Sequence, residues 1–299
     1  VPWKNSINRV LRQTTGLELR KQLPPPSAAK RPRRRVGARP GDRLLIAPTF
    51  VLSTVRSGST LLRVLIDSHS ELHAPQELHL RDLHVEVSSK YAPRALDSLG
   101  LDQKHLEYLL WDRLLHRQLA DSGKLHLVNK TPSDVFIVDR IQECWPDARF
   151  IFLLRHPAAI AASRHATRPQ DSVARNVKKV LDYGNAVEHA RTTLPGHTVR
   201  YEDLASDPVT ETQRLCAFLG VAWEPGMVDY GSFDHGRFRP GLGDWNDKIK
   251  SGSVQPPTPP PPLEEIAPAL RPLCVAWGYL EPNAVDAPSE SPAAPAPSS

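Results

Sequence analysis

FVLSTVRSGSTLLRVLIDSH, residues 50–69, sets an apolar run, a short polar loop and a leucine-striped segment end to end. Residues 50–55 are rich in β-formers and short enough for a buried strand. Leu61, Leu62 and Leu65 then recur at helical spacing. The loop between them, Arg56-Ser57-Gly58-Ser59-Thr60, is small and hydroxyl-rich, and Gly58 is free to take backbone angles that a β-carbon forbids. Unpaired amides at the helix start then face whatever sits in the loop. With the helix dipole and the hydroxyls they favour an oxyanion, and Arg56 adds a positive charge. The nucleotide-triphosphatase form of this device, GxxxxGK(S/T), is absent. Arg56 stands where a lysine matters in that form, which argues against an ordinary ATPase. The plain alternative is a strand-to-helix turn with a surface arginine.

Outward from this junction, strands and helices alternate between residues 43 and 249, the pattern of a parallel sheet covered by helices. Residues 101–119 read as a helix carrying Leu106, Leu109, Leu110 and Leu114; 125–128 as a short strand ending in Asn129-Lys130-Thr131-Pro132; and 135–144 as a helix. RFIFLL, Arg149–Leu154, is the clearest buried strand after the first. It ends in Arg155-His156-Pro157, and Pro157 suits the first turn of the alanine-rich helix that follows. A helix is expected over 171–191, a strand over 198–201, and a helix from Asp207-Pro208 with Leu215, Phe218 and Leu219 that stops at Gly220. Residues 256–262 are almost all proline, and 287–299 hold only small residues, prolines and one glutamate, so both should lack regular structure. Residues 263–280, with Leu270, Leu273, Trp277 and Tyr279, are expected to dock as a last helix. The fold class expected is α/β: a three-layer, P-loop-like fold with a central, mostly parallel sheet flanked by helices.

A chain of 299 residues can bury a full α/β core. The organisation expected is a basic Pro/Arg-rich arm over 1–40, one α/β domain over 41–280 that includes the proline segment 256–262, and an unstructured tail over 281–299. No run of about 18 apolar residues is present to span a membrane, and the amino terminus lacks a secretory-signal pattern, so a cytoplasmic protein is expected. Cys144, Cys216 and Cys274 are far apart and odd in number, which favours buried thiols over a disulfide framework or a CxxC metal site. The net charge of +5 is unevenly spread: residues 1–40 hold eleven Lys/Arg against one Glu, or +10, leaving −5 for the remainder. Within the arm, Ile7, Val10, Leu11 and Leu17 mark a candidate amphipathic helix. Three prolines, Pro24 to Pro26, and the block from Lys30 to Arg35 then favour an extended, solvated stretch. The arm is a candidate for contact with nucleic acid, an anionic membrane surface or an acidic protein, against the plain alternative of a solvated linker. No specific nucleic-acid partner is expected.

Ligands of an open parallel sheet collect at the carboxyl ends of its strands. Four such ends carry polar residues here: Arg56 to Thr60, Lys130, Arg155, and Tyr201-Glu202-Asp203. Together they suggest a cleft for at least two anionic groups. The same segments resemble the sulfotransferases that use 3′-phosphoadenosine 5′-phosphosulfate (PAPS), over roughly residues 43–250, and within that family the branch of protein-tyrosine and bacterial tailoring sulfotransferases. TVRSGSTLL resembles the family's loop for the 5′-phosphosulfate, which implies donor contacts from Arg56, Ser57, Gly58, Ser59 and Thr60. RHPAAIAASR resembles its 3′-phosphate element, implying Arg155 and, eight residues later, Ser163. PQELHL resembles the segment of the carboxylate base, which implies Glu77; NKTP implies a lysine near the sulfuryl group, Lys130; VRYEDL implies Tyr201 beside the nucleotide. GDWNDKIKSG resembles a late loop that closes over the donor, with Trp245 and Lys248 as its candidates.

Sulfuryl transfer needs an in-line acceptor oxygen, a positioned leaving group and positive charge where negative charge grows. Arg56, Lys130 and the loop amides can supply that charge, and no metal is expected. The acceptor hydroxyl must lose a proton to a base within hydrogen-bond reach. Glu77 is the first choice and His79 the competitor; if 77–80 is extended, the two share a face. The spacing of His69, His73 and His84 fits no common zinc pattern. The resemblance thus implies PAPS as co-substrate and a hydroxyl on a small molecule, glycan or carrier-bound metabolite as acceptor, its pocket shaped by residues 80–125 and 164–180. The adenine-stacking residue, the acceptor and the oligomeric state are not legible. Two other readings stand beside this one: a P-loop kinase-like phosphotransferase using Mg²⁺, and a nucleic-acid or acidic-partner binder acting through the arm.

Overall fold

The computed structural model describes residues 43–236, 243 and 247–285. Its centre is a five-stranded sheet: β1 (Thr49–Ser53), β2 (Leu72–His73), β3 (His126–Lys130), β4 (Arg149–Leu154) and β5 (His197–Arg200). The spatial order is β2-β3-β1-β4-β5, and every pairing is parallel. Both faces of the sheet are covered, so its inner strands are apolar on each side. Phe50, Leu52, Phe150, Phe152 and Leu154 point to one face, where they meet Trp111, Trp145, Val180 and Trp277. Val51, Ile151, Leu153 and Val199 point to the other, against Leu62, Leu65, Leu215 and Leu219.

The helices are α1 (Ser59–Asp67), α2 (Ala92–Ser98), α3 (Gln103–Ser122), α4 (Val138–Cys144), α5 (Pro157–Thr167), α6 (Val173–Thr193), α7 (Tyr201–Ser206), α8 (Pro208–Leu219), α9 (Asp247–Lys250) and α10 (Arg271–Ala276). Their boundaries follow local chemistry. Asp102 and His105 form a reciprocal capping box at the start of α3, Ser172 caps α6, and Asp207 with Pro208 opens α8, which ends at left-handed Gly220.

Several expectations need correction. In α3 the buried face is Tyr108, Trp111 and Leu115, while Leu109 and Leu110 are 38% and 42% exposed. The aromatic residues cover more of the core per turn than leucines, and Trp111 donates its indole N–H to Leu83 O, which turns the helix toward that side. Residues 263–280 do dock, with Leu270, Leu273 and Trp277 buried, but only α10 is an α-helix; Pro268 and Pro272 break the rest into short 3₁₀ turns. The two-residue β2 and the short α2 have no strong sequence signature. His69 lies just past the end of α1 and is buried, its Nε2 lying 2.7 Å from Ala222 O. All three cysteines are free and buried, and burial raises each thiol pKa. No described helix is long and apolar enough to cross a membrane. The arm over 1–40 and the tail from 286 lie outside the described residues.

Candidate functional site

β1 and β4 run side by side, with Ser53 opposite Leu153. The chain leaves β1 toward β2 on one side and leaves β4 toward β5 on the other. This reversal opens a crevice at the carboxyl ends of the two strands. The loops after both strands meet there. Arg155 Nη1 donates to Arg56 O at 2.9 Å, and Arg56 Nε donates to Ser163 Oγ at 3.1 Å. Arg56, the segment at Arg155 and the α5 serine therefore form one wall, although about a hundred residues separate them in sequence.

The loop reaches this shape through two left-handed residues. Arg56 has φ 74° and Gly58 φ 87°. Such an angle is unusual for an arginine, and here it sends the carbonyl toward Arg155 and the side chain toward Ser163. Ser57 Oγ donates to Thr54 O at 2.8 Å and ties the turn to the strand end. No side chain caps the first turn of α1, so its leading amides face the crevice unclaimed by a cap. Glycine at 58 is also a matter of space: a Cβ there would sit 2.2 Å from Tyr201 Cδ2. The Tyr201 ring fills that space, and the Arg155 guanidinium stacks over it at 4.4 Å.

A cavity of about 590 Å³ opens from this wall. Arg56, Gly58, Ser59, Thr60, Arg155, Ser163, Tyr201 and Lys248 all line it. Its size falls within the range of small-molecule sites, about 300–1,000 Å³. One face of α5 leaves room for it, because Ala159, Ala162, Ser163 and Ala166 are small and recur at helical spacing. Arg155 Nε is buried without a hydrogen-bond partner beside the same wall. Thr258, Pro259 and Pro261, within the 256–262 segment expected to lack regular structure, also line the cavity, as do Ser253 and Gln255 just before it; the whole stretch is without helix or strand. Tyr230 also lines it and anchors this segment, its hydroxyl donating to Ser253 O at 3.0 Å. Trp245 lies outside the described residues.

Residues to which the sequence reading gave no separate role hold the Arg155 turn in place. Glu202 Oε1 accepts from the His156 amide at 3.0 Å, and its Oε2 accepts from the Tyr279 hydroxyl at 2.6 Å. Glu202 thus ties the end of β4 to α7 and to the last docked segment. Burial lowers the His156 pKa, and the Tyr279 phenol is raised by burial and by Glu202. The one available signal for Glu202 was its place after a strand end.

A second cavity, about 500 Å³, lies on the β2–β3 side of the loop and shares Arg56, Ser59 and Thr60 with the first. Glu77 and His79 line it. Glu77 is ion-paired with Lys130 Nζ, and His79 Nε2 lies 3.7 Å from Glu77 Oε2. Lys130 is 1% exposed and lines neither cavity, so Glu77 stands between it and the open space. The segment 77–80 is not extended: His79 sits at φ 48° and Leu80 turns inward to be buried. The imidazole nonetheless stays beside the carboxylate. Below this pair, Asp134 accepts from Asn129 Nδ2 at 2.7 Å; burial and the nearby Glu77 push its pKa up to about 8. Among the described residues no group of three His, Cys, Asp or Glu side chains is arranged to hold a metal.

These features agree with known proteins. A sequence model of the sulfotransferase family matches residues 48–225. Nodulation protein NoeE of Sinorhizobium fredii is 29% identical over 206 residues, covering 57% of this chain and 49% of that protein. The protein-tyrosine sulfotransferase of Drosophila melanogaster is 22% identical over 199 residues, covering 62% and 40%. This chain therefore spans half or less of the length of those two relatives. Among solved structures, the sulfotransferase domain of the curacin biosynthetic pathway superposes with a TM-score of 0.57 at 22% identity, covering 78% of this chain and 98% of the domain. The sulfotransferase domain of the Synechococcus olefin synthase gives 0.56 at 24%, covering 80% and 98%. At these identities the two structures speak for the fold. Because the family match takes in more than half of the chain and runs from β1 through the Arg155 turn to α8, the chain belongs to the sulfotransferase family.

Proposed function

We propose that the protein transfers a sulfuryl group from PAPS to an acceptor hydroxyl, with the donor in the larger cavity and the acceptor in the smaller. The observation that carries this reading is the contact between two anion-binding segments: Arg155 on Arg56 O at 2.9 Å and Arg56 on Ser163 Oγ at 3.1 Å. A nucleotide with phosphate at both its 3′ and 5′ positions needs two cationic ends in one cavity. Arg155 and Ser163 bind the 3′-phosphate; the loop from Ser57 to Thr60 and the first amides of α1 bind the 5′ end. Arg155 lines the cavity with Nη1 fixed on Arg56 O, which holds the guanidinium in place for a charge-assisted pair with a phosphate. Tyr201 and Lys248 border the nucleotide, and Trp245 belongs to the same late segment.

The donor supplies an activated sulfuryl group. The acceptor oxygen forms a bond to sulfur as the sulfur–oxygen bond to the 5′-phosphate breaks, and the electron pair leaves on the phosphate. Arg56, Ser59 and Thr60, which border both cavities, stabilise charge at the point of transfer. Glu77 takes the acceptor proton. His79, 3.7 Å from the carboxylate, orients it, and Lys130 holds its other side. No step needs a metal. The acceptor is a hydroxyl on a small molecule, glycan or carrier-bound metabolite, met in the cytoplasm.

Thermal unfolding with 3′-phosphoadenosine 5′-phosphate (PAP) tests the nucleotide assignment. A strong rise with PAP and a small one with ATP is expected. Equal rises, together with Mg²⁺-dependent phosphate transfer from ATP, would replace this reading with the kinase-like one.

A further inference from the structure

Arg164 is a buried cation of the cleft that the transfer itself does not use. It follows Ser163 on α5 but lines the smaller cavity rather than the larger. It is 9% exposed, and its Nε is buried without a hydrogen-bond partner. Burial and the neighbouring Arg168 both disfavour its charge. The carboxylate that offsets them, Asp171, is itself paired with Arg175 at 3.3 Å. Nε itself is out of reach from the cavity, but a guanidinium held at its wall beside Arg168 gains from an anion that pairs with the charge as a whole.

The rest of the wall points the same way. Arg56, Arg81, Arg164 and Arg168 line this cavity against two carboxylates, Glu77 and Asp82. Glu77 is already engaged by Lys130. Arg81 is braced over the Phe136 ring at 4.8 Å, and Phe136 meets Tyr183 edge-on at 4.6 Å. Val55, Pro132 and Tyr183 add apolar lining for a carbon skeleton. Arg56 serves the point of transfer, but a neutral alcohol gains nothing from Arg164 and Arg168.

We propose that the acceptor carries an oxyanion group, carboxylate or phosphate, besides its hydroxyl, and that Arg164 and Arg168 seat this group so that the hydroxyl meets Glu77 and the shared Arg56–Thr60 wall. The proposal rests on the sulfuryl-transfer reading and names the class of its acceptor. Arg164 and Arg168 are specificity residues: they select the acceptor and leave the nucleotide alone.

Calorimetric titration of the PAP-loaded protein tests this directly. One arm compares para-hydroxyphenylacetate with its neutral amide; the other compares para-hydroxyphenyl phosphate with para-methoxyphenol. At least one anion is expected to bind about tenfold or more tightly than its neutral counterpart, as a charge-assisted pair requires, and the stronger arm identifies the group. The preference should disappear in the double variant Arg164→Gln, Arg168→Gln, with PAP affinity unchanged. If burial makes the double variant unstable, Arg168→Gln alone should reduce the preference severalfold. Equal binding of anion and neutral, no binding of either anion, or a preference that survives these substitutions overturns the proposal. Failure of the wild-type protein to bind PAP at all would instead overturn the nucleotide reading.

Discussion

The two cavities that meet at Arg56, Ser59 and Thr60 are built in different ways. The larger is made by backbone turns and small residues: left-handed Arg56 and Gly58, the uncapped start of α1, and the alanine face of α5. The smaller is made by long charged side chains from separate segments: Glu77, His79, Arg81, Arg164 and Arg168. Backbone amides and short side chains set a fixed shape, suited to a ligand that never changes. Long side chains from separate segments can be exchanged one at a time, so the smaller cavity can be retuned with the larger left in place.

The contrast is sharpest at Glu77. Glu77→Gln should lower turnover by about 10²–10⁴ with PAP stabilisation intact, whereas His79→Ala should lower it much less. Steady-state kinetics alongside thermal shift would show it. Full activity in Glu77→Gln would dismiss the carboxylate as base and turn attention to His79.

On the nucleotide side, Arg155→Ala should remove the preference for PAP over ATP, a loss of roughly tenfold to a hundredfold in affinity ratio. Competition binding measures it. A variant that keeps the full preference would break the division of labour between the cavities.

Asp134, buried near Glu77 and lining neither cavity, makes stability depend on pH. Its folded-state pKa is raised from 3.8 to about 8. The stability tied to its proton is therefore present in full below about pH 4, is lost as pH rises toward 8, and stays level above that. Asp134→Asn should flatten the decline by up to a few kcal/mol, as urea midpoints at the two ends of that range would reveal. Parallel profiles for the two proteins would mean that the carboxyl is already ionised near neutrality.

The smallest expected effect is at the turn. Gly58→Ala places a Cβ against Tyr201 at positive φ and should destabilise the protein by about 1–3 kcal/mol while weakening PAP binding. An unchanged unfolding midpoint would show that Tyr201 moves aside freely.

Arg56, Gly58, Lys130 and Arg155 were legible because each lies at a strand end or a few residues beyond it, and strand ends can be found from local pattern. Glu77 and Ser163 were reached only by resemblance. The ion pair of Glu77 with Lys130 follows from β2 lying beside β3, which two residues of strand do not announce. The proline stretch showed the limit of composition: it forms no helix or strand, as expected, yet it walls the larger cavity because Tyr230 holds Ser253 by a hydrogen bond from outside the stretch.

Consecutive residues alone thus dictated the strand, loop and helix at Phe50 to His69 and the anion preference of its turn, because backbone angles, dipoles and charge act over a few bonds. The placement of β4 against β1, which lays Arg155 on Arg56, and the burial of Arg164 Nε without a hydrogen-bond partner belong to the folded chain. Both depend on contacts between segments far apart in sequence, which no local pattern encodes.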